Sequence, residues 1–152
     1  MAYWVQYIEE YHWTPSTVLV IDSNFYPFVH FVMVEYFDFN TGIQWAIHSM
    51  PDVGVKRVPL AEALAGKPVK HSFLPPNPEE ALRRMQSLIG YPYILTQANC
   101  EHPVRWAVTG KWESKQVEAV KSVLFFAGAL TLAANLEPEK RTRSRRPSRS
   151  AR

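Results

Sequence analysis

The sequence predicts an α+β fold, a small antiparallel sheet packed against helices, on three observations. Residues 29–37 and 43–47 are β-rich runs separated by Asp38-Phe-Asn-Thr-Gly42, a turn signal, so they should pair as an antiparallel hairpin. Asn77-Pro78-Glu79-Glu80 is a helix start, followed by Leu82, Met85, Leu88 and Ile89 at helical spacing. After Gly90, residues 91–96 are aromatic and β-branched enough for a strand, which passes at Cys100 into a helix closed by Gly110.

Taken in order, the first sixteen residues carry Tyr3, Trp4, Tyr7, Tyr11, His12 and Trp13, too aromatic for a disordered leader; a helical turn and a strand both fit. His12 receives no catalytic role. Residues 17–21 read as a strand, and Asp22-Ser-Asn-Phe as a turn. In the 29–37 run, His30, Val32, Val34 and Tyr36 share one face, and Phe31, Met33, Glu35 and Phe37 the other. The hairpin brings His30 and His48 to one sheet, with the register left open by a long turn. Residues 54–60 and 69–73 are further short strands, with a helical turn at 60–64 closed by Gly66. At the next helix start Asn77 is suited to the cap, Pro78 to the first helical position, and Glu79 and Glu80 to the positive end of the helix dipole. Residues 113–136 should be largely helical. Within them, 122–136 is free of charge, yet shorter than the roughly 18 to 20 residues that cross a bilayer comfortably. A docked helix and a membrane anchor fit that segment equally well.

The 152 residues, 47% of them apolar, suffice for one domain with a real core and a tail. A single cysteine excludes an intramolecular disulfide and a cysteine-only zinc cage, and it is compatible with a reducing, cytoplasmic setting. The N-terminus lacks the basic start, apolar core and small-residue cleavage site of a secretory signal, so export by that route is not expected. The net charge of +3 is unevenly held: residues 140–152 carry seven basic and no acidic groups, leaving 1–139 at −4. The basic tail, residues 137–152, should be disordered. It is suited to anionic lipid or nucleic acid, or to plain solvation.

Cys100 is a candidate nucleophile, because a thiol at a helix start lies near unpaired N–H groups and the positive dipole end, which favour the thiolate. The plain alternative is a small buried apolar residue. His30 is a candidate base, since imidazole exchanges protons near neutral pH, and its plain alternative is a satisfied core histidine. No metal-ligand spacing supports a zinc site, and no cofactor is implied.

Asn99-Cys100-Glu101-His102, preceded by Gly90-Tyr-Pro-Tyr-Ile-Leu-Thr96 and followed by a short helix, resembles the NCEH box of the lecithin retinol acyltransferase-like family, the H-box/NC proteins. Val29-His30-Phe-Val-Met-Val34 is similar to that family's first-histidine strand. Trp45-Ala-Ile-His48-Ser-Met-Pro51 is similar to its second, and Val108-Thr-Gly-Lys-Trp-Glu-Ser-Lys-Gln-Val117 to the segment after the box. The resemblance covers about residues 30–120, within a catalytic domain of residues 1–120. It implies a permuted papain-like thiol acyltransferase/hydrolase fold in which Cys100 is the nucleophile, His30 the base and His48 the group that orients it. His102 is then structural, and helix-start N–H groups are the oxyanion donors. Pro103 departs from the pattern, standing where the family usually has an aromatic ring; a first-turn proline leaves the helix intact but removes a packing contact.

The implied function is a thiol-dependent acyltransferase or phospholipase A-type hydrolase taking acyl chains from glycerophospholipids through a Cys100 thioester, with the acceptor unspecified. Residues 122–152 would contact an anionic membrane surface, and the basic tail is a weaker candidate for nucleic acid. Two alternatives stand beside it. One is a non-enzymatic H-box/NC protein serving host-protein or RNA interaction; the other is a papain-like peptidase or amidase.

Overall fold

The computed structural model describes residues 12–24, 27–95, 97 and 99–135. Five strands form one sheet: β1 (Val18–Asp22), β2 (Val29–Asp38), β3 (Ile43–Met50), β4 (Gly54–Pro59) and β5 (His71–Phe73). They pair antiparallel throughout in the order β4-β3-β2-β1-β5. Among the described residues four helices accompany them: α1 (Leu60–Leu64), α2 (Pro78–Ser87), α3 (Glu101–Thr109) and α4 (Lys115–Asn135). The expected α+β class is therefore observed. The described residues up to Glu118 form one compact unit, and Ala119 begins a second.

Strand alternation divides the core between the two faces of the sheet. Val18, Met33, Ile47 and Val55 pack with Ala81 and Met85 of α2 and Val104 and Ala107 of α3. On the opposite face Leu19, Val32, Val34, Ala46 and Val58 pack with Leu60 and Ala63 of α1. The predicted facing of β2 holds as far as Glu35; a bulge between Val34 and Tyr36 then shifts the pairing, placing Tyr36 opposite Trp45. Glu35, almost fully buried, is met there by the Arg57 guanidinium and by Gln86 Nε2 at 2.8 Å.

The β2–β3 turn is closed by Asp38, whose carboxylate accepts from the Asn40 N–H at 2.9 Å and the Thr41 hydroxyl at 2.8 Å. Helix α1 ends as the sequence implies, with Ala65 and Gly66 both at positive φ. Pro78 takes the first position of α2, although the Asn77 side chain makes no capping bond. Ala81 and Met85 are buried and Leu82 and Leu88 partly so, but Ile89 is exposed, because α2 ends at Ser87 and the chain leaves the helical face before Ile89.

Of the strand expected at 91–96, the described residues 91–95 do not form a regular element. One exchange with β4 replaces it: Gly90 N–H donates to Val55 O and Val55 N–H to Tyr91 O, each at 2.8 Å. Pro92 brings no N–H to extend the pairing, and Ile94 is a single bridging residue. The close approach of Tyr91 to β4 requires glycine at 54, where φ is 83° and a Cβ would lie 2.2 Å from Tyr91 O.

His12 packs its ring on Phe37, with centroids 3.7 Å apart. The second unit begins within α4, where Val123, Leu124, Phe125 and Phe126 are exposed. Among the described residues no helix is long and apolar enough to cross a membrane. The expectations for residues 1–11, for Leu136 and for the basic tail lie outside the described residues.

Candidate active site

The hairpin register decides where the two histidines meet. Val32 on β2 faces His48 on β3, so His30, two residues earlier, lies on the same face as a diagonal neighbour of His48. The rings come together with His30 Nε2 3.0 Å from His48 Nδ1. Among the described residues His48 Nε2 is buried without a hydrogen-bond partner.

Pairing between β2 and β3 begins at Val32 and His48, which leaves the start of β2 open on its β3 side. The side chains of Cys100 and of Gln116, from the start of α4, reach that opening. Val29 N–H donates to Gln116 Oε1 at 2.8 Å, and the Cys100 thiol donates to Val29 O at 3.6 Å. The sulfur thus sits where the ladder ends, at the head of α3. Its hydrogen bond goes to that carbonyl rather than to an imidazole.

Cys100, His30 and His48 line one cleft of about 150 Å³, together with Ile21, Met50 and Tyr93. The three predicted site residues are therefore brought together. Sequence reasoning missed Tyr93, which it placed in a strand, and Lys67, which belongs to the loop after α1 and also lines the cleft. No periodicity marks either one; they arrive through the course of two loops.

Burial governs the protonation of the group. It pushes the Cys100 thiol up to about 11; the Phe31 amide favours the anion, the Glu101 charge opposes it, and Cys100's own amide favours it. The dipole argument for a ready thiolate is thereby overturned: loss of solvent outweighs what the amides return. His30 is lowered to about 4 by burial first, then by the nearby His48 and Lys67. His48 is likewise lowered to about 4, by burial and then by Lys56. Tyr93 is raised, by burial and then by Cys100. At neutral pH the cleft holds a neutral thiol, two neutral imidazoles and a neutral phenol.

The rest of the NCEH box builds the scaffold. Asn99 Oδ1 accepts from the N–H groups of Glu101 and His102 at 3.0 and 3.3 Å, so its side chain caps α3. Asn99 Nδ2 donates to Ser114 Oγ at 3.2 Å, and the Ser114 hydroxyl donates to Glu101 Oε2 at 2.6 Å. Gln116 N–H donates to the same Glu101 oxygen at 3.0 Å. His102 is buried, with Nδ1 2.9 Å from Asn99 Oδ1. The structural role read for His102 fits this placement, and because the amides of Glu101 and His102 serve the cap, the Cys100 amide is the helix-start donor they leave over. Pro103 is fully buried within the first turn, and the helix forms around it.

Among the described residues no group of three or more histidine, cysteine or carboxylate side chains is arranged to hold a metal ion. No family model, no curated protein and no solved structure matches this chain.

Proposed function

We propose that this chain is a thiol-dependent acyl-transfer enzyme in which Cys100 takes the acyl group of a glycerophospholipid ester as a thioester and passes it to water, an alcohol or an amine. The observation that carries the reading is the convergence of Cys100, His30 and His48 on one cleft, with the imidazoles in hydrogen-bond contact at 3.0 Å. The resemblance to the lecithin retinol acyltransferase-like family, with both histidines preceding the cysteine as in a permuted papain-like arrangement, points to the same chemistry.

The protonation states select the route. A thiol held near 11 and an imidazole held near 4, lining one cleft, do not form an ion pair at rest. Sulfur therefore attacks the ester carbonyl as its proton passes to His30, general-base catalysis in one step. For His30 to accept that proton on Nδ1, its Nε2–H must donate to His48 Nδ1, which fixes the ring and shares the positive charge as it develops. The tetrahedral oxyanion needs donors close to sulfur. The Cys100 amide and the Tyr93 hydroxyl, which burial keeps protonated, are the candidates. His30 then returns the proton to the departing alkoxide, and the acceptor attacks the thioester with His30 again as base.

At about 150 Å³ the cleft is smaller than the roughly 300–1,000 Å³ usual for a whole ligand. It suits the ester and its immediate surroundings, with the acyl chains lying outside. On this reading the charge-free 122–136 segment, with Val123 to Phe126 exposed, keeps the enzyme near its lipid, and the basic tail favours an anionic surface.

The test is release of fatty acid and lysophospholipid from dispersed phospholipid. Wild type should release both, Cys100→Ala neither, and His30→Ala should be slower by at least about 100-fold. Wild type that neither hydrolyses nor transfers an acyl group contradicts the proposal.

A second reading is favoured by the thiol's bond to Val29 O and its raised pKa. Cys100 would then be a half-buried plug of the β2–β3 opening in a non-enzymatic interaction module. It differs in outcome: Cys100→Ala would alter stability and no turnover.

A further inference from the structure

Among the described residues Lys67 differs from Lys56 and Lys70 in having no carboxylate partner. Lys56 pairs with Glu62 at 3.2 Å and Lys70 with Asp22 at 2.6 Å, so the two carboxylates lining the cleft are each matched by a lysine. Lys67 instead donates to two neutral acceptors, Asp22 O at 2.8 Å and Asn24 Oδ1 at 2.5 Å. Its charge is left over, and it is felt by His30, whose protonation it opposes.

The ammonium is also held in place. Ala65 and Gly66, both at positive φ, turn the chain back after α1, and Lys67 N–H closes that turn onto Leu64 O at 2.9 Å. Two of its three ammonium donors tie the side chain to the loop after β1. Among the described residues the third has no partner. A cation fixed beside the candidate base, uncompensated and with a donor to spare, is prepared for an anion that arrives with the substrate.

We propose that Lys67 is the phosphate subsite of the cleft, binding the phosphodiester of the acyl donor while the ester carbonyl lies at Cys100. This inference rests on the acyl-transfer reading and supplies its donor selectivity. A compact ammonium suits phosphate, whose oxygens accept from many directions, whereas a carboxylate is better matched by the planar fork of arginine. The subsite orients the ester and selects phosphate-bearing donors over neutral glycerides.

Binding tests this separately from chemistry. The full chain carrying Cys100→Ala, which cannot form a thioester, is titrated calorimetrically with dihexanoyl phosphatidylcholine below its micelle concentration and with dihexanoylglycerol. The phospholipid should bind at least about tenfold more tightly, and that preference should shrink with added salt. Adding Lys67→Gln should weaken phospholipid binding about tenfold and leave the glyceride unchanged, while Lys67→Arg should keep most of the preference. Equal affinity of the parent for both lipids, no effect of Lys67→Gln, or equal weakening of both lipids overturns the subsite. Inorganic phosphate binding as tightly as the phospholipid would reassign it to a free anion and also overturn the proposal. If the Lys67-dependent preference is found but wild type forms no acyl-enzyme and releases no fatty acid, acyl transfer fails while the subsite stands. If turnover occurs with no such preference, the reverse holds.

Discussion

Burial drives the proton affinities of Cys100 and His30 in opposite directions, one to about 11 and the other to about 4, and the pH dependence of any turnover should carry that signature. A base works only while unprotonated, so a lowered His30 stays competent well below the usual histidine value of 6.5. The acid limb of kcat/KM is expected near pH 4 to 5, as an apparent value of the coupled His30–His48 pair, with a broad plateau above it. A limb at 6.5 would mean that the working base is a solvated imidazole. The positions of these groups were legible in the sequence: alternation on β2 placed His30 with Val32, and the hairpin brought His48 beside it. Their proton affinities were not legible, because desolvation depends on what packs over a residue, and Cys100 lies in an opening that only the end of the β2–β3 ladder creates.

At the level of elements, the head of α3 is held by Asn99, which joins two helix-start amides to Ser114 and through it to Glu101. Asn99→Ala removes the cap and strands buried donors, a loss of roughly 2–4 kcal/mol on adding a cap of about 1 kcal/mol to the cost of unsatisfied groups. Urea denaturation measures it, and a loss under about 0.5 kcal/mol would show that the network does not hold the helix. The hairpin, the β4–α1 connection and the start of α2 were readable from periodicity and turn residues. The 91–96 segment was misread because its β-branched and aromatic side chains suit a strand while Pro92 has no N–H to pair, and a single exchange with Val55 satisfies the backbone at Gly90 and Tyr91. Tyr93 and Lys67 escaped notice for a related reason: loops without periodicity carry them to the cleft.

For the whole molecule, the three desolvated groups, His48 buried and His30 and Cys100 half-buried, define a window of stability. His30 and His48 bind protons less readily folded than unfolded, so the fold weakens as pH falls below 6.5, with the penalty complete near 4. Cys100 keeps a proton that the unfolded chain surrenders at about 9, so the fold weakens again as pH rises from 9 towards 11. Between about 6.5 and 9 these groups leave the melting temperature level. His48→Gln should flatten the acid slope and Cys100→Ala the alkaline one in thermal unfolding followed against pH; unchanged slopes would show that the groups are solvated. The α+β class was legible because both faces of the sheet are written in alternating apolar residues, whereas the packing of Cys100 into a gap between strands is a property of the assembled sheet alone. The central claim, a nucleophilic Cys100, is tested most directly by intact mass spectrometry of wild type and Cys100→Ala after brief incubation with phospholipid vesicles, quenched in acid. An acyl-sized mass increase on wild type, removed by hydroxylamine and absent from Cys100→Ala, is the expected result. An increase that persists in Cys100→Ala, or fatty-acid release undiminished by that substitution, would contradict it.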